Sequence, residues 1–268
     1  MKVIAYSIFS APCEKFEFMS YLRGIYFNWR MNNLIYPGWK MYVTISRSIQ
    51  NSEYNSFFLN LKANGVWVDL HEDAVLCRSM LERMYPVIMS ESVGITHVIC
   101  RDADAITTYK EAQAVQEWID SGLGFHSITD NQAHSLPMMG GMIGFRTDIF
   151  RQLFPQWKSL DYMTKRWNLT QRGSDQQLLM ADIYPKAKDN MIGHFFQGCS
   201  EKVKILRTSV SNQILGVDPK LWESNLTCRH IGSAGVVDME VLRFFKRFDK
   251  TDYSEFEKEH SDICYWAR

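Results

Sequence analysis

Two aspartates separated by one residue, Asp102 and Asp104, have the type and spacing to do chemistry. They follow the apolar run 95–100, which predicts a central β-strand. Side chains at positions i and i+2 of an extended segment point the same way, so both carboxylates could meet one divalent cation. A hard cation held there could neutralise a diphosphate and help it to leave. A surface turn with two solvated aspartates is the alternative interpretation.

A glycine-rich run and an acidic helix start come later in the chain. Residues 140–144 read Gly-Gly-Met-Ile-Gly, so the backbone there could approach a ligand closely, or could form a tight strand entry. Residues 174–177 read Ser-Asp-Gln-Gln, which predicts a capping box at the start of a helix. Asp175, within this segment, could serve a ligand or could simply complement the helix dipole.

A late histidine, His230, opens the glycine-rich segment 230–235. Histidine is a common metal ligand, and His230 could complete an Asp/Asp/His set with Asp102 and Asp104 or contact a phosphate. A structural histidine is the alternative interpretation.

Apolar runs alternate with helix-like segments through the first half of the chain, which favours βαβ units and a mostly parallel sheet. Open α/β sheets bind ligands at the carboxyl ends of their strands, where Asp102 and Asp104 stand. The predicted strands are 3–9, 41–46, 66–70, 95–100 and 125–128. The predicted helices are 16–28, 52–64, one from 76 that Gly94 ends, one from 174 and one from 238.

Composition limits the classes of protein that this chain can be. Its 268 residues are 46% hydrophobic, and 30 Lys+Arg balance 30 Asp+Glu, so no general attraction to nucleic acid is expected. This apolar content excludes disordered, fibrous and disulfide-scaffold classes. We predict a single domain over residues 1–268, with 249–268 as a solvated tail or a short helix.

Targeting signals are weak. The six cysteines are widely spaced without a CxxC pair, which indicates free thiols in a reducing compartment. Residues 1–9 are better interpreted as a first strand than as a signal peptide, and no apolar run is long enough to span a membrane. We therefore predict a cytoplasmic protein. The basic and aromatic residues 243–248 suit a helix packed on the core, with contact to an anionic membrane as the alternative.

The ordered set of motifs resembles the nucleotide-sugar glycosyltransferases of the GT-A fold, and its spacing is similar to that of glycogenin-like and galactosyltransferase-like retaining enzymes. A closer resemblance is to a loosely characterised bacterial and viral group with Tyr-Pro-Gly-Trp, His-x-x-Pro-x-x-Gly-Gly-Met-x-Gly and Asp-Gln-x-Leu segments followed by Ile-Tyr-Pro. These segments occur here at 36–39, 134–144, 175–178 and 183–185. The chain departs from the group at 130–132, where Asp-Asn-Gln replaces the frequent Asp-His-Pro.

The resemblance implies an α/β, GT-A (Rossmann-like) fold with a central mixed, mostly parallel sheet flanked by helices. It also implies that Asp102 and Asp104, with His230, hold Mn²⁺ or Mg²⁺ on the diphosphate of a UDP-sugar or GDP-sugar. Ser7 would lie near the nucleobase, and Arg78 and Arg83 would approach the nucleotide; a solvated helix face is the alternative for these arginines. The residues expected to line the substrate or face the reacting sugar are His134, Gly140, Gly141, Asp175 and Gln176.

The implied reaction is transfer of the sugar to an acceptor hydroxyl on a glycan or glycoconjugate. Its transition state builds positive charge on the sugar and negative charge on the departing diphosphate. Asp175 would stabilise the sugar cation, or would act as general base if the enzyme inverts.

Other classes remain open from the sequence. A haloacid-dehalogenase-like phosphatase would use Asp102 as nucleophile with Thr107 nearby, although the later Lys and paired-Asp segment is missing. A nucleotidyltransferase would need a Gly-rich, Arg/Lys-bearing first loop that is also missing. The non-enzyme alternative is a sugar-binding domain that stacks sugars on some of its 8 Trp and 12 Tyr residues.

Overall fold

The computed structural model describes residues 1–9, 15–129, 136–195 and 249–264. Seven strands in these ranges form one sheet. They are β1 (Lys2–Ile8), β2 (Trp39–Ser46), β3 (Trp67–His71), β4 (His97–Arg101), β5 (Phe125–Thr129), β6 (Met142–Arg146) and β7 (Met191–Phe195). All five strands predicted from the sequence are present, with ends displaced by one or two residues.

The strand order is β3-β2-β1-β4-β6-β5-β7. Strand β6 runs antiparallel to its neighbours β4 and β5, and the other adjacent pairs are parallel. Helices connect the parallel strands, as such pairs require. The predicted architecture, an α/β fold with a central mixed, mostly parallel sheet flanked by helices, is therefore confirmed.

The helices vary greatly in length. The longer ones are α1 (Lys15–Ile35), α3 (Asn55–Ala63), α7 (Tyr109–Ser121) and α8 (Thr147–Leu153). The shorter ones are α2 (Arg47–Gln50), α4 (Leu76–Leu81), α5 (Tyr85–Ile88), α6 (Ser90–Val93), α9 (Leu160–Thr164), α10 (Ser174–Leu178), α11 (Tyr184–Ala187) and α12 (Ser254–Glu259). Within the described ranges, no helix is both long and apolar enough to cross a membrane.

The helix predicted from 76 to Gly94 is wrong in one respect, because the chain forms short helical segments there instead of one continuous helix. A 3-10 turn over Glu82–Met84 separates α4 from α5, and Pro86 lies in the first turn of α5. Proline lacks the N–H that a continuous helix would need there, whereas the first helical turn tolerates it.

The core lies on both faces of the sheet. Along β1, Val3 and Ala5 contribute to one hydrophobic cluster, and Ile4 and Tyr6 contribute to the other. This alternation follows from the two-residue period of a strand. Helix α1 covers the second face, where Tyr26, Phe27 and Trp29 are buried.

The carboxyl-terminal segment packs on α1. The ring of Phe256 in α12 stacks on Tyr26, with centroids 5.7 Å apart. Arg30 donates to Asp249 at 2.9 Å, and Ile263 is buried in the same cluster. The short helix expected in this stretch is therefore present over Ser254–Glu259, and the described part of the stretch is not a free solvated tail. The helix expected from residue 238 lies outside the described residues.

Cysteines in the described ranges carry free thiols, as predicted. Cys77, Cys100 and Cys264 are all buried, and burial raises the pKa of the thiols of Cys100 and Cys264 to about 12. These thiols are small core hydrophobes at neutral pH.

Candidate functional site

The acidic pair begins one residue after β4, at the carboxyl edge of the parallel part of the sheet. The backbone turns at once, with Ala105 N donating to Asp102 O at 3.2 Å. Ala103 and Ala105 are buried, at 4% and 6% exposed, whereas Asp102 and Asp104 are half-buried. The alternation means that the alanines face the core while the carboxylates lie nearer the surface.

Arg83 joins this pair from the turn between α4 and α5. Its Nη1 donates to Asp102 Oδ1, and only 5% of the residue is exposed. Burial alone would lower the pKa of Arg83, but the charges of Asp102 and Asp175 outweigh it, so the pKa is raised. The solvated helix face considered for Arg83 is therefore wrong, and a fixed cation stands beside the acids.

The charged form of the Asp104 carboxyl is disfavoured in this position. Burial raises the pKa of its carboxyl, and the neighbouring charge of Asp102 raises it further, against a smaller lowering by Arg83. A carboxylate in this position gains from an additional positive charge.

Gly140 and Gly141 form a floor beside these charged groups. A Cβ on Gly141 would overlap Asp102 Oδ2 and lie 2.7 Å from Oδ1. A Cβ on Gly140 would lie 2.7 Å from Arg83 Nη2 and 3.7 Å from Asp175 Oδ2. A side chain at either position would collide with these atoms. The two glycines therefore let the backbone lie directly against the Arg83–Asp102 ion pair.

The third glycine of the run, Gly144, serves packing instead. It lies within β6, and a Cβ there would lie 2.9 Å from Trp118 Cζ3 and 3.0 Å from His126 Cβ. Gly144 therefore allows close packing within the sheet and is not part of the candidate ligand surface.

Asp175 and Gln176 approach the glycines from α10. Gly140 N donates to Gln176 Oε1 at 3.1 Å, and Gln176 Nε2 donates to Met138 O. Asp175 is 5% exposed. Gln176 therefore ties the start of α10 to the glycine floor and brings Asp175 next to it.

The predicted capping box at 174–177 is wrong. The N-cap of α10 is Gly173, with φ of 86°, and the cap makes no side-chain hydrogen bond. Ser174 Oγ instead donates to Gln171 O at 2.7 Å. A left-handed glycine redirects the chain here, which a serine could not do at the same cost.

The sequence analysis also placed Ser7 and Arg78 in the site, but both side chains bind other groups in the structure. Ser7 Oγ donates to Met80 O at 3.4 Å. Arg78 pairs with Glu82 and donates through Nη2 to Asp161 Oδ1 at 2.9 Å. Arg78 is thus held by two acids, which fits neither a free nucleotide ligand nor a fully solvated helix face.

The two histidines proposed for the site, His134 and His230, lie outside the described residues, as do 130–132. Across the ranges that are described, no three His, Cys, Asp or Glu side chains group as a metal site. The described part of the site therefore offers three carboxylates, those of Asp102, Asp104 and Asp175, and the guanidinium of Arg83.

Two residues of α1 that border the acidic segment were missed by the sequence analysis. They are Gly24, whose added Cβ would lie 2.8 Å from Ala103 C, and Asn28, whose Nδ2 donates to Ala105 O at 2.9 Å. The available signal was a glycine and an asparagine one turn apart in an aromatic-rich helix, since both are poor helix formers.

Chemically, the site places a guanidinium and a carboxylate pair beside the backbone of Gly140 and Gly141, with a third carboxylate, Asp175, next to Gly140. Arg83 suits phosphate oxygens because a guanidinium binds them through paired N–H groups. The half-buried acids suit a hard cation. The carboxylate of Asp175 could stabilise a developing positive charge or accept a proton.

Comparison of the sequence with protein-family models gives no match, and no curated protein matches it. Among solved structures, a candidate nucleotide-diphospho-sugar transferase from Desulfovibrio desulfuricans aligns at 11% identity and TM-score 0.47, over 72% of this chain and 79% of that one. A mannosyltransferase from Pyrobaculum calidifontis, solved with GDP-Man and Mn²⁺, aligns at 13% identity and TM-score 0.42, over 71% of this chain and 53% of that one. A protein described as a mannose-1-phosphate geranyltransferase from Thermus thermophilus aligns at 12% identity and TM-score 0.45, over 74% of this chain and 75% of that one. The values are too low to assign an activity to this chain.

Proposed function

We propose that this chain is a metal-dependent glycosyltransferase that moves a sugar from a UDP-sugar or GDP-sugar to an acceptor hydroxyl on a glycan or glycoconjugate. The observation that carries the proposal is the convergence of three elements on one glycine floor. Asp102 follows β4, Arg83 comes from the turn after α4, and Asp175 comes from α10. Because Gly140 and Gly141 carry no side chains, these groups can lie directly against their backbone.

The acidic pair fits Mn²⁺ or Mg²⁺ in the chemistry of its donors. Both ions prefer oxygen ligands, and Mg²⁺ is commonly held by one or two carboxylates together with substrate phosphates. The raised pKa of Asp104 supports this assignment, because burial and the charge of Asp102 leave its carboxylate in need of positive charge. When bound, the metal would neutralise charge on the leaving diphosphate. In the proposal Asp102 and Asp104 hold it, and His230 is a third candidate.

Arg83 is the protein's own positive charge at the diphosphate. It is buried and already ordered by Asp102, so little side-chain freedom is lost when it binds a phosphate. Such a preorganised donor stabilises developing negative charge more than a mobile surface cation would. Arg78, held by Glu82 and Asp161, is assigned a supporting position at most.

Asp175 and Gln176 face the sugar in this proposal. Gln176 fixes the glycine floor through Gly140 N and Met138 O. Asp175 then stabilises positive charge on the sugar in a retaining reaction, or accepts the acceptor's proton in an inverting one. Ser7 and His134 remain candidates for nucleobase and acceptor contacts.

The phosphatase alternative is weakened by the position of Thr107. Its Oγ1 donates to Asn28 Oδ1 at 2.9 Å, and 1% of the residue is exposed. A threonine that assists a nucleophile must reach the phosphate, and this hydroxyl points into the core instead. Asp102 is also engaged by Arg83.

The test is a thermal-shift screen of the whole chain against common nucleotide sugars and nucleoside diphosphates, with and without Mn²⁺. A ligand that binds only the folded state raises Tm, by an amount that grows with its concentration over Kd. We expect a rise that requires Mn²⁺ and disappears in Asp102→Ala and Asp104→Ala.

Asp148→Ala is the matched control. Asp148 resembles Asp102 in having a half-exposed side chain, 45% against 41%, and an arginine partner, Arg146. Its variant should keep the nucleotide response. The proposal fails if no nucleotide or nucleotide sugar shifts the wild-type Tm with Mn²⁺. Hydrolysis of an aryl phosphate that is lost in Asp102→Asn would favour the phosphatase. Glycan binding without any turnover of a nucleotide sugar would favour the sugar-binding domain.

A further inference from the structure

Helix α1 touches the acidic segment at an unusually short range. A Cβ on Gly24 would overlap Ala103 O, lie 2.8 Å from Ala103 C and lie 3.1 Å from Asp104 Cα. A glycine inside a helix costs about 0.5–1 kcal/mol relative to alanine. The close approach therefore requires a residue that the helix itself disfavours.

Asn28, one turn further along α1, binds the same segment with its whole amide. Its Nδ2 donates to Ala103 O at 3.2 Å and to Ala105 O at 2.9 Å. Its Oδ1 accepts from the backbone N and the Oγ1 of Thr107, both at 2.9 Å. These four bonds use every donor and acceptor of a carboxamide, and the residue is 0% exposed.

The amide fixes the residues on either side of Asp104 and the segment after it. Ala103 and Ala105 are the positions whose carbonyls it holds, and both face the core. Asp104 lies in the turn between the two held carbonyls, and Ala105 N closes that turn on Asp102 O, so fixing those carbonyls limits the directions in which the carboxylates of Asp102 and Asp104 can point. A fully satisfied buried polar group of this kind gives rigidity and a single geometry.

We propose that Asn28 is a positioning residue for the acidic pair: its carboxamide sets the spacing and direction of the Asp102 and Asp104 carboxylates for a divalent cation. This inference rests on the proposed function, because it assumes that the pair binds a metal. Groups that orient metal ligands contribute to affinity without touching the ion.

Two variants test Asn28 from its two sides. Asn28→Asp keeps the acceptor toward Thr107 but places a carboxylate oxygen against the carbonyls of Ala103 and Ala105. Thr107→Val keeps the shape of Thr107 and removes its Oγ1 bond to Asn28, which is a milder change if Asn28→Asp folds poorly. Thr147→Val is the matched control. Thr147 is also 1% exposed and donates through Oγ1 to Ile95 O at 2.6 Å, at the opposite end of β4.

The first measurement is Mn²⁺ affinity without nucleotide, from the loss of the free-ion signal in electron paramagnetic resonance, at a temperature where each variant is folded by circular dichroism. We expect Asn28→Asp to raise Kd about tenfold, the lower end of the loss seen when groups that orient metal ligands are removed. Thr107→Val should raise Kd by a smaller factor. Thr147→Val should leave Kd unchanged even though it too loses a buried hydrogen bond.

The second measurement is hydrogen exchange of residues 102–107 in the metal-free chain, which should quicken in Asn28→Asp and in Thr107→Val but not in Thr147→Val. Unchanged Mn²⁺ affinity in both site variants would overturn the positioning role while leaving the proposed function intact. An equal loss of affinity in Thr147→Val would also overturn it, because general destabilisation would then explain the effect. A wild-type chain that takes up no Mn²⁺, alone or with a nucleoside diphosphate, would overturn the proposed function and this inference together.

Discussion

Gly141 stands directly against the carboxylate of Asp102, so that a Cβ at position 141 would overlap Oδ2 and lie 2.7 Å from Oδ1. The direction of the first acid of the pair therefore depends on a glycine in a distant part of the sequence. Arg83 also contacts this carboxylate, because its Nη1 donates to Asp102 Oδ1.

Replacing Gly141 with alanine should displace the Asp102 carboxylate and disturb its pairing with Arg83. We expect Mn²⁺ affinity to fall about tenfold, as for other losses of ligand orientation. Asp102 is only half-buried, so the displaced side chain can move toward solvent and Tm should fall little. Calorimetric titration with Mn²⁺ and thermal unfolding measure the two quantities. An unchanged affinity would show that the close contact has no part in metal binding.

Replacing Arg83 with glutamine should affect metal and nucleotide in opposite directions. Arg83 neutralises Asp102, so its removal frees that carboxylate and should strengthen binding of Mn²⁺ alone. The diphosphate loses a buried cationic donor, and a charged hydrogen bond of that kind contributes about 1.5–3 kcal/mol, roughly tenfold to a hundredfold in Kd. Arg146→Gln, which breaks the pair with Asp148, is the control and should alter neither affinity. Parallel weakening of both ligands in Arg83→Gln would indicate structural damage.

Asp104→Asn should stabilise the fold while abolishing Mn²⁺ binding. A carboxyl whose folded-state pKa is raised destabilises the protein in its ionised form, so stability decreases as pH rises from the ordinary pKa through the raised one. At neutral pH the neutral amide removes that cost, and Tm should rise. Asp148→Asn should do the reverse, because the hydrogen bond from Arg146 lowers the pKa of Asp148 and its charge is favourable. Thermal unfolding at pH 7 measures both; a fall in Tm for Asp104→Asn would contradict the prediction.

Asp175→Asn should separate chemistry from binding. The amide keeps the size of the side chain but can neither accept a proton nor offset a positive charge on the sugar. We expect the rate of sugar transfer, or of nucleotide-sugar hydrolysis, to fall about 10²-fold or more. The Mn²⁺-dependent Tm shift with nucleoside diphosphate should remain, in contrast to Asp102→Ala. Loss of that shift would place Asp175 in donor binding instead.

A buried histidine pair should make the fold sensitive to acid. His126 Nε2 lies 3.0 Å from His194 Nδ1, and His194 Nε2 lies 3.0 Å from Glu117 Oε2. Burial lowers the pKa of both rings, most strongly for His126, while Glu117 opposes the shift at His194. Their contribution to stability is complete above the unfolded value of about 6.5 and is lost as pH falls below it.

Denaturant unfolding of wild type and His126→Asn at pH 7.5 and 5.5 tests this sensitivity. The wild type should lose stability between the two values, and the variant should lose less. The difference per histidine has an upper limit of about 1.4 kcal/mol for each pH unit below the unfolded pKa. Equal losses in the two proteins would show that this pair does not govern the acid response.

Much of the fold was predictable because its signals are local. A strand that is buried on both faces is a short apolar run, and β1, β2, β4 and β5 were found on that basis within two residues of their ends. Element ends were less accurate because turns and Pro86 set them, and the capping box at Ser174 was wrong because Gly173 takes the cap position. Periodicity does not contain that information.

The sequence by itself determined five of the seven strands, the acidic pair at the end of β4 and the presence of the glycine-rich run, whereas β6 and β7 were not predicted. Only the tertiary structure decided that Arg83 neutralises Asp102, that Gly144 serves packing and that Asn28 holds the acidic segment. The physical reason is the range of each interaction. The alternation of apolar residues and the positions of glycines are visible within a few neighbouring residues. The Arg83–Asp102 ion pair and the four hydrogen bonds of the Asn28 amide instead join distant elements, whose approach depends on how the whole sheet and α1 pack.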